Sequence, residues 1–133
     1  MSVIANKDLV SRYFKESNAI KGDPMKLSAL SNKYVDPKSI FHFAAGDMNM
    51  EQSAKFFTAF YKGFPDMGWA VEDMVAEGDK VVVRCTWSGT QTGEWMGAAP
   101  TGKKYTQPGM VIYRLDGVKI TEAWVVNDAM KPT

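Results

Sequence analysis

Apolar residues in the first half of the chain recur at helical spacing, and from Gly68 onward they recur at every second position. Leu9/Val10, Tyr13/Phe14, Ser17 and Ile20 mark a first helix, with Asn6 as the expected N-cap and Gly22 as its C′ stop. Asp23-Pro24 supplies the cap and first residue of a second helix, striped by Leu27, Leu30 and Tyr34 and ended by Asp36-Pro37. Ser39–Phe43 is short, apolar and β-prone, hence a strand. Asn49 and Gln52 then stand in capping-box spacing before a third helix, with Met50, Ala54, Phe57 and Tyr61 on one face.

The second half predicts strands. Trp69–Glu77 and Lys80–Gln91 flank a tight Gly78-Asp79 connection, and Gly93, Gly97, Pro100 and Gly102 mark an irregular loop. Lys104–Leu115 follows, with Pro108-Gly109 as an expected bulge, and Asp116-Gly117 turns the chain into Val118–Asn127. Helices first and consecutive strands later predict one α+β domain over residues 1–133, its helices packed on a mostly antiparallel sheet.

Strand parity suggests which side chains face inward. In the last strand Val118, Ile120, Glu122, Trp124, Val126 and Asp128 share a face, more apolar than Lys119, Thr121, Ala123, Val125 and Asn127 opposite. The even face is the expected core side. It would set two carboxylates in an apolar row, where desolvation raises a carboxyl pKa toward that of a general acid. Asp128 and Glu122 are therefore candidate catalytic groups, each with a structural alternative as an ion-pair partner or a solvated end residue. In Lys80–Gln91 the apolar row is Val81, Val83, Cys85 and Trp87, which turns Arg84 outward unless a bulge brings it to Glu122. Trp69, Trp87 and Trp124, with Phe57 and Tyr34, are expected to pack in the core or to hold a flat apolar ligand. His42 and Tyr13 are the remaining candidates: His42 faces away from Phe41 and Phe43, and the Tyr13 hydroxyl is free to point into a cavity.

Composition narrows the partners. Sixteen basic against fifteen acidic side chains give a net charge of +1, with no basic cluster among aromatics, so nucleic acid and anionic membrane are not expected. One cysteine cannot form an internal disulfide, and one histidine cannot supply the paired imidazoles of most catalytic zinc sites. The start of the chain lacks a basic n-region and apolar h-region, and no stretch reaches the ~20 apolar residues of a membrane span; a cytoplasmic location is the expectation. Gly97–Lys103 has the spacing of a phosphate-binding loop. Lys104 stands where a serine or threonine must hold magnesium, and the residues after it cannot open a helix.

Phe64-Pro65-Asp66-Met67, Val71–Val81, Arg84–Thr90, Thr92–Gly97, Pro100–Lys103 and Tyr113–Trp124 follow one another in an order that resembles the SnoaL-like polyketide cyclase family of the NTF2-like superfamily. The resemblance implies a cone in which three helices close a strongly bent sheet around an apolar cavity, commonly as a homodimer. It also implies intramolecular aldol ring closure without metal or organic cofactor, driven by an acidic residue near the end of the sheet that matches Asp128. Tyr13 is similar in location to the oxyanion-donating tyrosine of steroid isomerases on the same fold. Cyclase pockets carry histidines near the acidic residue, whereas the strands here offer Gln107 and Asn127. Three functions are compatible with these features: a cofactor-independent acid/base enzyme (cyclase, isomerase or hydratase-like) acting on a small apolar carbonyl compound, a non-catalytic small-molecule binding module, or an interaction domain using its exposed sheet face.

Overall fold

A computed structural model describes residues 2–133. Ser2 caps α1 (Val3–Ser17) by accepting from the Ala5 N–H. Asn6, the expected cap, lies one turn inside that helix and is buried. The first apolar side chains of the stripe fall one turn later than the backbone's own start, which is why the periodicity misplaced the cap. α2 (Pro24–Tyr34) begins at the expected Asp23 cap and ends at Tyr34. Lys119 closes its C-terminus, donating to the carbonyls of Asn32 at 2.6 Å and Lys33 at 2.9 Å, where the helix leaves acceptors unpaired. Asp36-Pro37 does not end the helix but lies inside β1 (Val35–Phe43). A short β2 (Gly46–Asn49), too polar to be read as a strand, pairs with β1. α3 (Met50–Gly63) carries both hydrogen bonds of the Asn49/Gln52 capping box.

The remaining strands are β3 (Gly68–Glu77), β4 (Lys80–Thr90), β5 (Lys104–Asp116), β6 (Lys119–Asn127) and the two-residue β7 (Lys131–Pro132). They form one sheet in the order β2-β1-β6-β5-β4-β3, with β7 continuing along β5. β1 runs parallel to β6 and every other pairing is antiparallel. The three helices pack on one side of this curled sheet, the α+β cone that the resemblance implies. The edge strand β3 is tied to α1 by the Asn18 side chain, which both donates to the Trp69 carbonyl and accepts from the Trp69 N–H at 2.8 Å. That amide occupies main-chain groups an open edge would present to another strand. Among the described residues no helix is long and apolar enough to cross a membrane.

Parity holds in β4: Val81, Val83, Cys85 and Trp87 are buried, and Arg84 faces outward on Asp73 at 2.7 Å. It fails in β6. Ile120 pairs with Leu115 and Glu122 pairs with Arg114, so Thr121 is an extra residue with no partner on β5. Such a bulge exchanges the two faces of everything beyond it. Ile120 and Ala123 are therefore both fully buried, while Val126 is 70% exposed. Glu122, Trp124 and Val126 point out of the cone, and Ala123, Val125 and Asn127 point in. The expected Pro108-Gly109 bulge is absent: both residues stay in continuous register with β4.

The buried Ser39 hydroxyl donates to the Ile120 carbonyl at 2.8 Å, fixing the bulge from the neighbouring strand. Ser39→Ala deletes that donor at an enclosed site. Urea denaturation should show a loss of about 1–2 kcal/mol, whereas an exposed serine such as Ser11 replaced by alanine should change stability by under about 0.5 kcal/mol.

Candidate functional site

Between the helices and the concave face of the sheet lies a cavity of about 370 Å³. Its walls follow from the pattern that makes the core. α3 turns Phe56, Phe57 and Tyr61 toward it, β1 adds Phe41 and Phe43, and α2 adds Leu27 and Leu30. The floor comes from inward positions of the sheet: Trp69 on β3, Cys85 and Trp87 on β4, Val111 and Tyr113 on β5, Val125 on β6. Phe60 lies between Trp87 and Trp95, stacked at 5.1 Å and 4.6 Å, so the wall beside the 91–103 loop is a continuous aromatic pile. Gly89 makes room for it, since a Cβ there would come within 3.0 Å of the Trp87 ring.

The polar groups are few. Gln107, Asn127 and Met130 contribute to the lining where β5 and β6 end. Gln107 donates from Nε2 to the Asp128 carbonyl at 2.8 Å. Asn127 leans over Gly109, where a Cβ would stand 2.3 Å from its Oδ1, so only glycine admits this arrangement. Tyr13, Tyr61 and Tyr113 also line the cavity. Burial pushes the Tyr13 pKa up to about 12 and also raises those of Tyr61 and Tyr113, with the Tyr13 charge adding to both. All three phenols are neutral near pH 7 and can donate hydrogen bonds. Cys85 is likewise raised, by burial and by Glu72, and is a thiol rather than a nucleophilic thiolate.

The sequence-predicted residues divide between this cavity and the outer face of the sheet. Tyr13, Phe57, Trp69 and Trp87 border the cavity. Tyr34 does not: it is buried behind Tyr13, ring centroids 5.8 Å apart, with its hydroxyl donating to the Glu16 carboxylate. Glu122, Trp124 and His42 lie on the opposite side of the sheet, because the Thr121 bulge inverts β6 and His42 is paired with Trp124 across β1 and β6. Asp128 is exposed, beyond the end of β6, and its carboxylate accepts from the Ala129 N–H at 2.9 Å. The expected carboxylate facing the apolar hollow is therefore not found; no Asp, Glu, His, Lys or Arg is among the residues that line the cavity. Tyr61 was legible as a position on the apolar face of the third helix and Tyr113 was not singled out; nothing in the sequence distinguishes an enclosed hydroxyl from one that reaches solvent.

The outer residues form a network of their own. His42 Nε2 meets Glu122 at 2.6 Å and its Nδ1 meets Asp47 at 2.8 Å, while Arg114 donates to the other Glu122 oxygen at 2.8 Å. The His42 ring stacks on Trp124 at 5.5 Å, and the Arg114 guanidinium sits 5.2 Å from the same indole. Hydrogen bonds to Glu122 first and Asp47 second raise the His42 pKa above its ordinary value. A separate surface cleft of about 840 Å³, lined by Asn6, Asp79, Arg114 and Asp116 among others, is a solvent-open groove between α1 and the strand turns. Among the described residues no three His, Cys, Asp or Glu side chains gather as a metal would require.

Comparison with known proteins gives a consistent picture. The model of the SnoaL-like polyketide cyclase family matches residues 23–133. AclR from Streptomyces galilaeus, a proposed hydroxylase, superposes with TM-score 0.84 at 25% identity, over 96% of this chain and 91% of that one. A proposed SnoaL-like polyketide cyclase from Jannaschia sp. CCS1 gives 0.78 at 25% identity, over 94% and 86%. IdmH from Streptomyces antibioticus, a proposed polyketide cyclase, gives 0.74 at 26%, over 92% and 91%. No curated protein matches the chain.

A histidine whose pKa is raised by folding contributes stability that is complete below its unfolded value of about 6.5 and is lost as pH climbs through the native value. In Glu122→Gln the larger hydrogen-bonding carboxylate is gone. The His42 pKa, followed by NMR titration of its ring protons, should drop toward the ordinary value, and the alkaline loss of stability should shrink with it.

Proposed function

Because the chain belongs to the SnoaL-like polyketide cyclase family, we propose that it binds a small, largely apolar carbonyl compound in the aromatic cavity and acts on it without a cofactor, as a cyclase or isomerase. The observation that carries this reading is the enclosed hollow itself, walled by aromatic rings and holding a small number of uncharged hydrogen-bonding groups. Asp128 is the acid/base residue in this reading. Its neighbours Asn127 and Met130 line the cavity and Gln107 donates to its backbone carbonyl, which keeps Asp128 beside the rim and outside the lined hollow, so a ligand must project past the rim to reach the carboxylate. The carboxylate takes a proton from the carbon beside the ligand's carbonyl, the C–H electron pair becomes the enolate, and that carbon attacks a second carbonyl of the same molecule. The resulting alkoxide recovers the proton.

A second reading, a binding module without chemistry, is favoured by one feature: no ionisable carboxylate or imidazole lines the cavity. Bicyclic aromatic ketones separate the two. Binding is read by quenching of the tryptophans that border the cavity, and proton abstraction by exchange of the ketone α-hydrogen in deuterated water. Asp128→Asn should slow exchange about 100-fold or more while the Kd stays within about threefold. Exchange that is unchanged by the substitution, or absent in the wild type despite binding, supports the module.

We also propose a homodimer formed through the outer sheet face. Val75, Val82, Ile112 and Trp124 make an apolar row across four strands, flanked by the Asp73–Arg84 and Arg114–Glu122 pairs. Charges already neutralised within one chain leave a surface that a second copy can meet without unpaired ions. Val126→Asp places a charge in the adjoining exposed apolar region. Light scattering should report a dimer for the wild type and a monomer for the variant.

A further inference from the structure

We propose that His42 is a proton-operated latch: its imidazolium ties β2 to the body of the sheet and so holds one side of the cavity mouth, and loss of the proton frees that side for ligand exchange. The exchange half rests on the reading that the cavity holds a ligand; the latch stands without it.

The geometry calls for a charged ring. Nδ1 meets the Asp47 carboxylate at 2.8 Å, and Nε2 meets that of Glu122 at 2.6 Å. Ionised carboxylates only accept, so both ring nitrogens must donate, and only the imidazolium carries two N–H groups. The charged groups around it are Asp47 from β2, Glu122 from β6 and Arg114 from β5. Arg114 holds the other Glu122 oxygen, with Asp79 of the β3–β4 turn behind it at 3.4 Å. α2 and α3 pack on the concave side of β1, and among the described residues no other charged side chain lies within ion-pair distance of the ring. A neutral ring has one donor for two carboxylates. Glu122 is half-buried and gives the shorter bond, whereas the Asp47 side chain is 66% exposed and can turn to water. Asp47 is therefore the partner released.

What Asp47 holds is a lightly attached part of the sheet. β2 has four residues, lies at the sheet edge and pairs only with β1. His42 and Asp47 are cross-strand partners in that pairing, so the ring links β2 to β1 and, through Glu122, to β6. β2 runs directly into Met50, the first residue of α3. Ala45 before β2 and Met50, Ser53 and Ala54 after it line the cavity, and the exposure of Ala45 and Ala54 puts this segment at the mouth. A short edge segment with few buried side chains is the kind that opens locally. The direction follows from the raised His42 pKa, caused by Glu122 first and Asp47 second. The latch is complete below about 6.5 and is lost as pH climbs through the raised value.

Amide hydrogen exchange by NMR, corrected for the intrinsic rate at each pH, reads the latch, and the His42 ring protons read its titration. Protection of Gly46–Asn49 should fall about three- to fivefold as His42 loses its proton, the size expected of a partly exposed ion pair. Glu122→Gln should move that fall to lower pH together with the His42 titration. Asp47→Ala should leave protection low and level throughout while His42 still titrates. Protection that stays level through the wild-type titration, or a fall that survives Asp47→Ala, overturns the latch. Release of a bicyclic aromatic ketone, followed by tryptophan fluorescence, should quicken over the same pH range in the wild type and be fast and level in Asp47→Ala. Release at an unchanged rate while β2 loses protection overturns the gating of the mouth. If no ketone binds at any pH, the cavity reading and the gating both fail, and amide exchange still decides the latch.

Discussion

One irregularity in one strand decides what this molecule can do. Thr121 has no partner on β5, and the Ser39 hydroxyl holds the Ile120 carbonyl from the other side. Because side chains alternate with period two, a single added residue transfers all later positions to the opposite face. Without it, Glu122 and Trp124 would enter the hollow, and Val125 and Asn127 would face outward. The chemical character of the cavity, uncharged and aromatic with amides at its mouth, is a consequence of that register.

The same register builds the outer surface. Glu122 becomes the bridge between His42 and Arg114, and the Trp124 indole is flanked by the imidazole and the guanidinium. The two Glu122 oxygens are held by the His42 imidazole and the Arg114 guanidinium on the outer face of the sheet, so this position suits a support of that network and lies away from the cavity. The cavity meanwhile obtains its polarity from groups that carry no charge. Phenols and primary amides can be enclosed at far lower cost than carboxylates, which allows the hollow to stay apolar and still offer hydrogen-bonding groups.

Relatives on this scaffold illustrate why the fold alone leaves chemistry open. AclR, a proposed hydroxylase, and IdmH, a proposed polyketide cyclase, superpose on the same chain at similar identity. The shared element is the fold, and a fold hosts different chemistries according to the side chains it presents.

Much of the architecture was readable from residue order. The Asp23-Pro24 start, the Asn49/Gln52 capping box and the inward row Val81, Val83, Cys85 and Trp87 are local features, set by backbone donors or by simple alternation within one segment. The family motifs from Phe64 onward added the cone and its cavity. What stayed hidden were relations between segments. The Thr121 bulge exists only because β6 must match β5 on one side and the displaced start of β1 on the other. β2 forms because β1 offers its polar residues an edge, and Asn6 is buried by Gly78 rather than spent as a cap. Local sequence therefore determined which elements form and where most begin, because hydrogen-bonding and hydrophobic preferences act over a few residues. Tertiary pairing alone decided which face of the last strand lines the hollow, because register is a property of two strands and is written in neither.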